Sequence, residues 1–148
     1  MPVTDIARES AVSIESGETL ETVVETMRSE GVGSVVVVEN GEPVGLVSDR
    51  DLALAVLSGD NDAGQLTVDE LLTDEVVTVD AAAGVYDAIE LMSGRGVRRV
   101  VVVEDGELAG IISLSDVIVL LGMELQQVAN TIRAVSPAYE RLATDIYD

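Results

Sequence analysis

GLVSDRDL, residues 45–52, and GIISLSDV, residues 110–117, share one spacing: glycine, two residues, serine, two residues, aspartate. Set in register, a shift of 65 residues from Ser48 to Ser113, their flanks match as well. Val3 lands on Val68, Val12 on Val77, Glu25 and Met27 on Glu90 and Met92. Gly31-Val32 lands on Gly96-Val97, and the valine run 35–38 on 100–103. No gap is needed from Val3 to Leu52. This is one unit present twice, too few copies for a solenoid.

Each copy can be read locally. Leu20, Val23, Val24 and Met27 follow the i, i+3, i+4, i+7 spacing of a helix with one apolar face, and Val85, Ala88, Ile89 and Met92 repeat it. Thr19 is placed to cap the first of these helices. SVVVV, residues 34–38, is a short β-branched run and predicts a buried strand. Asn40-Gly41 and Asp105-Gly106 then signal hairpins, with returning strands at 44–48 and 109–113. A second helix is expected from Asp49 and from Leu114, and short strands at 12–14 and 77–79 open each copy. The unit is strand, helix, hairpin, helix. The polar, turn-rich SGDNDAGQLT, residues 58–67, reads as a linker.

Composition limits the chemistry. The chain has 148 residues and is 47% apolar, enough for a packed core. Cysteine and histidine are absent, which removes thiol chemistry and the commonest general base and metal ligand. Twenty-eight acidic residues face eight basic ones, all arginine, for a net charge of −20. Such a field repels nucleic acid and anionic membranes. It reads either as an acidic docking surface or as a surface suited to very high salt, where screening removes the self-repulsion. No run approaches the ~20 apolar residues of a membrane span, and MPVTDIARES has no apolar signal core. A soluble, cytoplasmic protein is the expectation.

The doubled order, with VSI and VTV openings and helices bearing Met27 and Met92, resembles the cystathionine beta-synthase (CBS) domain in tandem, a Bateman module. GVGSVVVVENGEPVGLVSDRDL and GVRRVVVVEDGELAGIISLSDV carry most of the resemblance, which covers about residues 1–122. It implies two α/β units related by a pseudo-two-fold axis, short sheets facing each other and helices outside. It also implies two clefts that take adenosine ligands: AMP, ADP or ATP, or S-adenosylmethionine or NAD. The expected limits are 1–57 for the first repeat, 58–67 for the linker, 68–122 for the second repeat and 123–148 for a helical extension. Thr is common in the family where Ser48 and Ser113 stand, and Pro near Val36 and Val101; serine keeps the hydroxyl.

The residue types suit that role. Ser48 and Ser113 sit where a strand meets a helix N-terminus, whose free N–H groups and dipole favour an anion. Asp51 and Asp116 lie one turn on and can accept protons from both ribose hydroxyls. Apolar residues of the opening strands, near Ser13 and Thr78, are placed to sandwich adenine. Ser-x-x-Asp is equally close to a helix capping box, and both readings stay open. Arg95, Arg98 and Arg99 fall within five positions. Arg98 fills a place that is often basic in the family, so Arg98 and Arg99 read as a phosphate grip or as surface pairs with carboxylates. Gly33 and Ser34 match them in the first copy, so the clefts are expected to differ. Arg50 offers another phosphate contact, while Asp49 opposes a triphosphate unless it faces away.

SGRGVRR fails as a dinucleotide loop, because it follows a helix and lacks the third glycine. A P-loop is excluded by the absence of lysine, and DNDAGQ puts glycine at a calcium-ligand position. After Val117 the copies diverge. Leu125, Val128, Ala129 and Ile132 extend an apolar helical stripe, Ser136-Pro137 reads as a new helix start, and Tyr139, Leu142 and Ile146 form a further stripe. That extension is expected to pack elsewhere or across a homodimer. The functional expectation is a non-catalytic regulatory sensor of an adenosine nucleotide, AMP or ATP first, acting on its own dimer or a separate effector. The alternative is a structural oligomerisation module without a working ligand site.

Overall fold

The computed structural model describes residues 1–7, 11–59, 64–72, 74–136 and 138. Met1–Ser113 form one compact unit, and the chain from Leu114 onward forms another. Within the first unit, β1 (Ser13–Glu15), α1 (Leu20–Glu30), β2 (Ser34–Glu39), β3 (Glu42–Ser48) and α2 (Asp49–Ser58) follow in order. The second copy repeats them as β4 (Thr78–Asp80), α3 (Val85–Arg95), β5 (Arg99–Glu104) and β6 (Glu107–Ser113). Each copy builds a three-stranded sheet, β1-β2-β3 and β4-β5-β6. The outer strand is parallel to the middle one and the hairpin is antiparallel, with a register shift at Val37/Val38 and again at Val102/Val103.

The valine run explains the layering. Strand side chains alternate between faces. Val35 and Val37 point into a core with Leu20, Val23, Met27 and Leu52 from the two helices. Val36 and Val38 point the other way and meet Val101, with Leu46, Val76 and Ile111 against them. The helices thus cover the outer faces and the two sheets face each other, as expected. Both hairpins turn on residues with positive φ, Asn40 at 53° and Asp105 at 52°, each followed by glycine.

Thr19 caps α1, its Oγ1 accepting from the Thr22 backbone N–H at 3.3 Å. The helix ends on Gly31 at φ +66°, and the Val32 N–H reaches back to the Met27 carbonyl at 3.0 Å. α3 ends the same way, with Gly96 at φ +64° and Val97 bonded to Met92 at 3.0 Å. This Schellman-type ending needs a left-handed residue, which glycine supplies without a Cβ clash. It aims the chain at Gly33 in one copy and at Arg98 in the other.

The two copies are interlocked. A 3-10 turn at Val3–Asp5 docks on the second copy: Val3 N–H bonds Ala83 O at 2.8 Å, and Val85 N–H bonds Met1 O at 3.0 Å. A matching turn at Val68–Leu71 docks on the first copy, with Val68 N–H to Glu18 O at 2.8 Å. Val3 and Val68 are both fully buried. Sequence repeat and spatial unit therefore differ at their leading ends.

The second unit is α4 (Leu114–Val135), a single unbroken helix. The Ser136-Pro137 start and the Tyr139, Leu142 and Ile146 stripe fall largely outside the described residues, as does part of the 58–67 linker.

Candidate functional site

A cavity of about 300 Å³ lies between the two copies. The first copy contributes Leu46 and Ser48 of β3 and Asp51 of α2. The second contributes Leu71, Leu72 and residues 74–77 leading into β4, then Val97, Arg98, Arg99 and Val101. Leu46, Val76 and Val101 belong to the apolar layer between the sheets and give the cavity its nonpolar floor. Alternation along β3 puts Ser48 on the same face as Leu46, and along β5 puts Arg99 on the same face as Val101.

Ser48 and Asp51 form a complete capping box. The Asp51 N–H donates to Ser48 Oγ at 3.2 Å, and the Ser48 N–H donates to Asp51 Oδ2 at 2.8 Å. The Ser48 hydroxyl donates to the same Oδ2 at 2.9 Å. Among the described residues none donates to Asp51 Oδ1, and Asp51 lines the cavity. Capping and cavity lining thus coincide in the same two side chains.

One electrostatic expectation needs correction. The first-turn N–H groups of α2 are not free for an anion. Asp49 N–H bonds Gly33 O at 2.9 Å, Arg50 N–H bonds Asp49 Oδ1 at 2.8 Å, and Asp51 N–H is held by Ser48. The short acidic side chain of Asp49 competes locally for the backbone, which a spacing argument does not register. Positive charge at the cavity comes instead from Arg98 and Arg99. Both are exposed, and neither has an ion-pair or hydrogen-bond partner among the described residues. The surface-pair reading of these arginines therefore has no support there.

The cavity brings together Ser48, Asp51, Arg98 and Arg99. Arg50, Ser13 and Thr78 are exposed and are not among its lining residues. Ser13 and Thr78 pair with Val36 and Val101 on the edge strands, while Val76 and Val77, just before β4, reach the cavity. Ser113 ends β6, opposite Arg99 in the strand register, and Asp116 stands in the first turn of α4. Asp49 faces away from the cavity: its Oδ2 lies 3.2 Å from where a Cβ on Gly33 would stand. The position that matches Arg98 in the first copy thus holds a carboxylate instead of a guanidinium.

Leu72, Asp74 and Glu75 line the cavity without having been singled out in the sequence. They lie in the leading segment of the second copy, where the aligned residues are Ala7, Glu9 and Ser10, and they follow the Val68–Leu71 turn that docks on the first copy. A usable signal was Gly45, invariant between the copies at Gly110: a Cβ there would stand 2.3 Å from a Leu72 methyl. Among the described residues no cluster of three or more Asp, Glu, His or Cys is placed to hold a metal ion. No helix among them is long and apolar enough to cross a membrane.

Comparison with known proteins accords with this architecture. The CBS domain family matches the chain twice, over residues 3–58 and 68–122. An uncharacterized protein of Methanopyrus kandleri is 33% identical over 118 residues, 78% of this chain and 60% of that relative. The CBS domain-containing protein YhcV of Bacillus subtilis is 31% identical over 117 residues, 79% of this chain and 83% of that relative. The chain thus spans less than two thirds of the first and most of the second. A CBS domain protein from Pyrobaculum aerophilum, solved in complex with AMP, is 28% identical with a TM-score of 0.70, covering 78% of this chain and 89% of its own. Two interlocked strand-helix-hairpin-helix units, each matched separately, mean that the chain belongs to the CBS-domain family as a tandem pair.

Proposed function

We propose that this chain is a regulatory module that binds an adenosine-containing metabolite, AMP before ATP, S-adenosylmethionine or NAD, between its two repeats. The observation that carries the reading is the pairing of Ser48 and Asp51 from one repeat with Arg98 and Arg99 from the other around one cavity with an apolar floor. Asp51 Oδ1 accepts from ribose hydroxyls, the guanidiniums take phosphate, and adenine occupies the layer of Leu46, Val76 and Val101. The lining carries Asp51, Asp74 and Glu75 against two arginines, which favours a monophosphate over a triphosphate. The AMP complex of the Pyrobaculum relative supports the ligand class.

A ligand gripped by both repeats favours one relative arrangement of them, and that difference in affinity is the signal a partner reads. Ser113 and Asp116 repeat the pair in the second copy. The first copy has Gly33, beside the Asp49 carboxylate, where the second has Arg98, so it offers no matching phosphate grip and one AMP per chain is expected. The module is read as non-catalytic and cytoplasmic, with repeats at 1–57 and 68–122, a linker at 58–67 and an extension at 123–148. It works as a homodimer that reports to itself or to a separate effector.

Thermal unfolding at high salt with AMP, ATP, NAD and S-adenosylmethionine tests this. A specific ligand at ~100 times its dissociation constant adds about 2.7 kcal/mol. No shift with any of the four favours a purely structural oligomerisation module.

A further inference from the structure

The cavity between the repeats carries charge of both signs that is not spent within the protein. Arg98 and Arg99 line it, and so do Asp74 and Glu75. All four side chains are exposed, and none has a hydrogen-bond or ion-pair partner among the described residues. Two guanidiniums and two carboxylates thus share one space of about 300 Å³ without forming a salt bridge. Asp51 differs from the other two acids. Its Oδ2 accepts from the Ser48 N–H at 2.8 Å and from the Ser48 hydroxyl at 2.9 Å, so its charge is partly engaged in the cap of α2. The segment that carries Asp74 and Glu75 is anchored on both sides. Before it, Val68 N–H bonds Glu18 O at 2.8 Å and Asp69 N–H bonds Ser16 O at 3.2 Å. After it, Val76 packs in the apolar layer between the sheets.

Charge counting decides which anion such a wall tolerates. A phosphate monoester carries about two negative charges at neutral pH, which the two guanidiniums match. Each further phosphate brings charge for which no guanidinium remains, and it meets Asp74 and Glu75 instead. The net charge of −20 adds to that repulsion at every distance. We infer that Asp74 and Glu75 are specificity-determining residues of this cavity, a charge filter that admits a nucleoside monophosphate and turns away di- and triphosphates. This rests on the adenosine reading above and adds to it the residues that set the phosphate count. Because the four groups are exposed, salt screens the filter: it is strong at about 0.1 M and weak at about 1 M, where the screening length is about 3 Å.

Calorimetric titration of the full chain with adenosine, AMP, ADP and ATP, divalent cations being chelated, tests it. At the lowest salt that keeps the chain folded by circular dichroism, affinity is expected to fall about tenfold from AMP to ATP, with ADP between them. At about 1 M salt the ratio shrinks to less than about threefold. Asp74→Asn/Glu75→Gln closes most of the low-salt ratio by raising ATP affinity, and leaves adenosine affinity unchanged. Glu39→Gln/Glu104→Gln removes the same charge at the hairpin ends of β2 and β5, roughly 16 Å along the strands from the level of Ser48 and Arg99, and keeps the ratio. Low-salt wild type that binds ATP as tightly as AMP overturns the filter alone. So does a ratio untouched by Asp74→Asn/Glu75→Gln, or one closed equally by Glu39→Gln/Glu104→Gln, which assigns the effect to net charge. Binding of none of the four ligands overturns the adenosine reading and the filter with it.

Discussion

Asp51 and Arg98 separate folding from binding at the level of single residues. Asp51 closes the capping box, so Asp51→Ala costs about 1 kcal/mol of stability. It also removes the proposed ribose acceptor, and AMP affinity is expected to fall by about a factor of ten, the equivalent of one such hydrogen bond. Arg98 is exposed and has no described partner, so Arg98→Ala changes stability by less than about 0.5 kcal/mol while AMP binding drops about tenfold. Calorimetric titration beside thermal melts reads both; an Arg98→Ala protein that binds AMP as wild type removes the phosphate assignment. Gly45→Ala is the steric counterpart. Its Cβ would stand 2.3 and 2.7 Å from the Leu72 methyls, so Leu72 must swing. The expected cost is about 1–3 kcal/mol with weaker AMP binding, and unaltered affinity shows that Leu72 moved away from the cavity.

Among the elements, the two helix endings are matched in geometry but not in consequence. Gly31 and Gly96 sit at φ +66° and +64°, where a Cβ costs roughly 1–2 kcal/mol. Gly31→Ala and Gly96→Ala are therefore expected to lower stability alike. Gly96 stands two residues before Arg98, so only Gly96→Ala is expected to weaken AMP binding as well. Titration of the two variants side by side checks this, and an equal loss in both contradicts it. In the sequence Gly31-Val32 and Gly96-Val97 stood only as matching steps of the repeat, and their role as helix endings came from the backbone geometry. Strands, hairpins and helix starts were legible, because period-two and period-3.6 patterns and Asn-Gly or Asp-Gly turns are local. The occupied N–H groups of α2 were not, since they depend on where Asp49 turns and on the Gly33 carbonyl from another strand-helix boundary.

For the whole molecule, interlocking and charge set the behaviour. Val3 and Val68 each carry the leading turn of one repeat into the other. Truncating either to alanine removes two buried carbons and costs about 1.6 kcal/mol or more at ~0.8 kcal/mol per carbon. Because each turn belongs to both repeats, Met1–Ser113 is expected to unfold in one transition, with calorimetric and van't Hoff enthalpies equal. Two resolved transitions within that unit contradict the interlock. At −20, self-repulsion opposes the compact state. The thermal midpoint is expected to rise as salt goes from about 0.1 M to about 1 M and the screening length falls from about 10 to about 3 Å. A midpoint indifferent to salt means that the charges are too dispersed to matter.

By itself the sequence determined the duplicated unit and the order of its elements, and it named Ser48, Asp51, Arg98 and Arg99 only among nine candidates, with Arg50, Ser113, Asp116, Ser13 and Thr78. Spacing and alternation are properties of neighbours along the chain, so they survive in one dimension. Only the tertiary structure decided that Ser48 and Asp51 line one cavity with the arginines of the other repeat, that Leu72, Asp74 and Glu75 join them, and that Asp49 stands where the first repeat lacks an arginine. Those outcomes depend on the exchange of the leading turns, a long-range docking that no local pattern encodes.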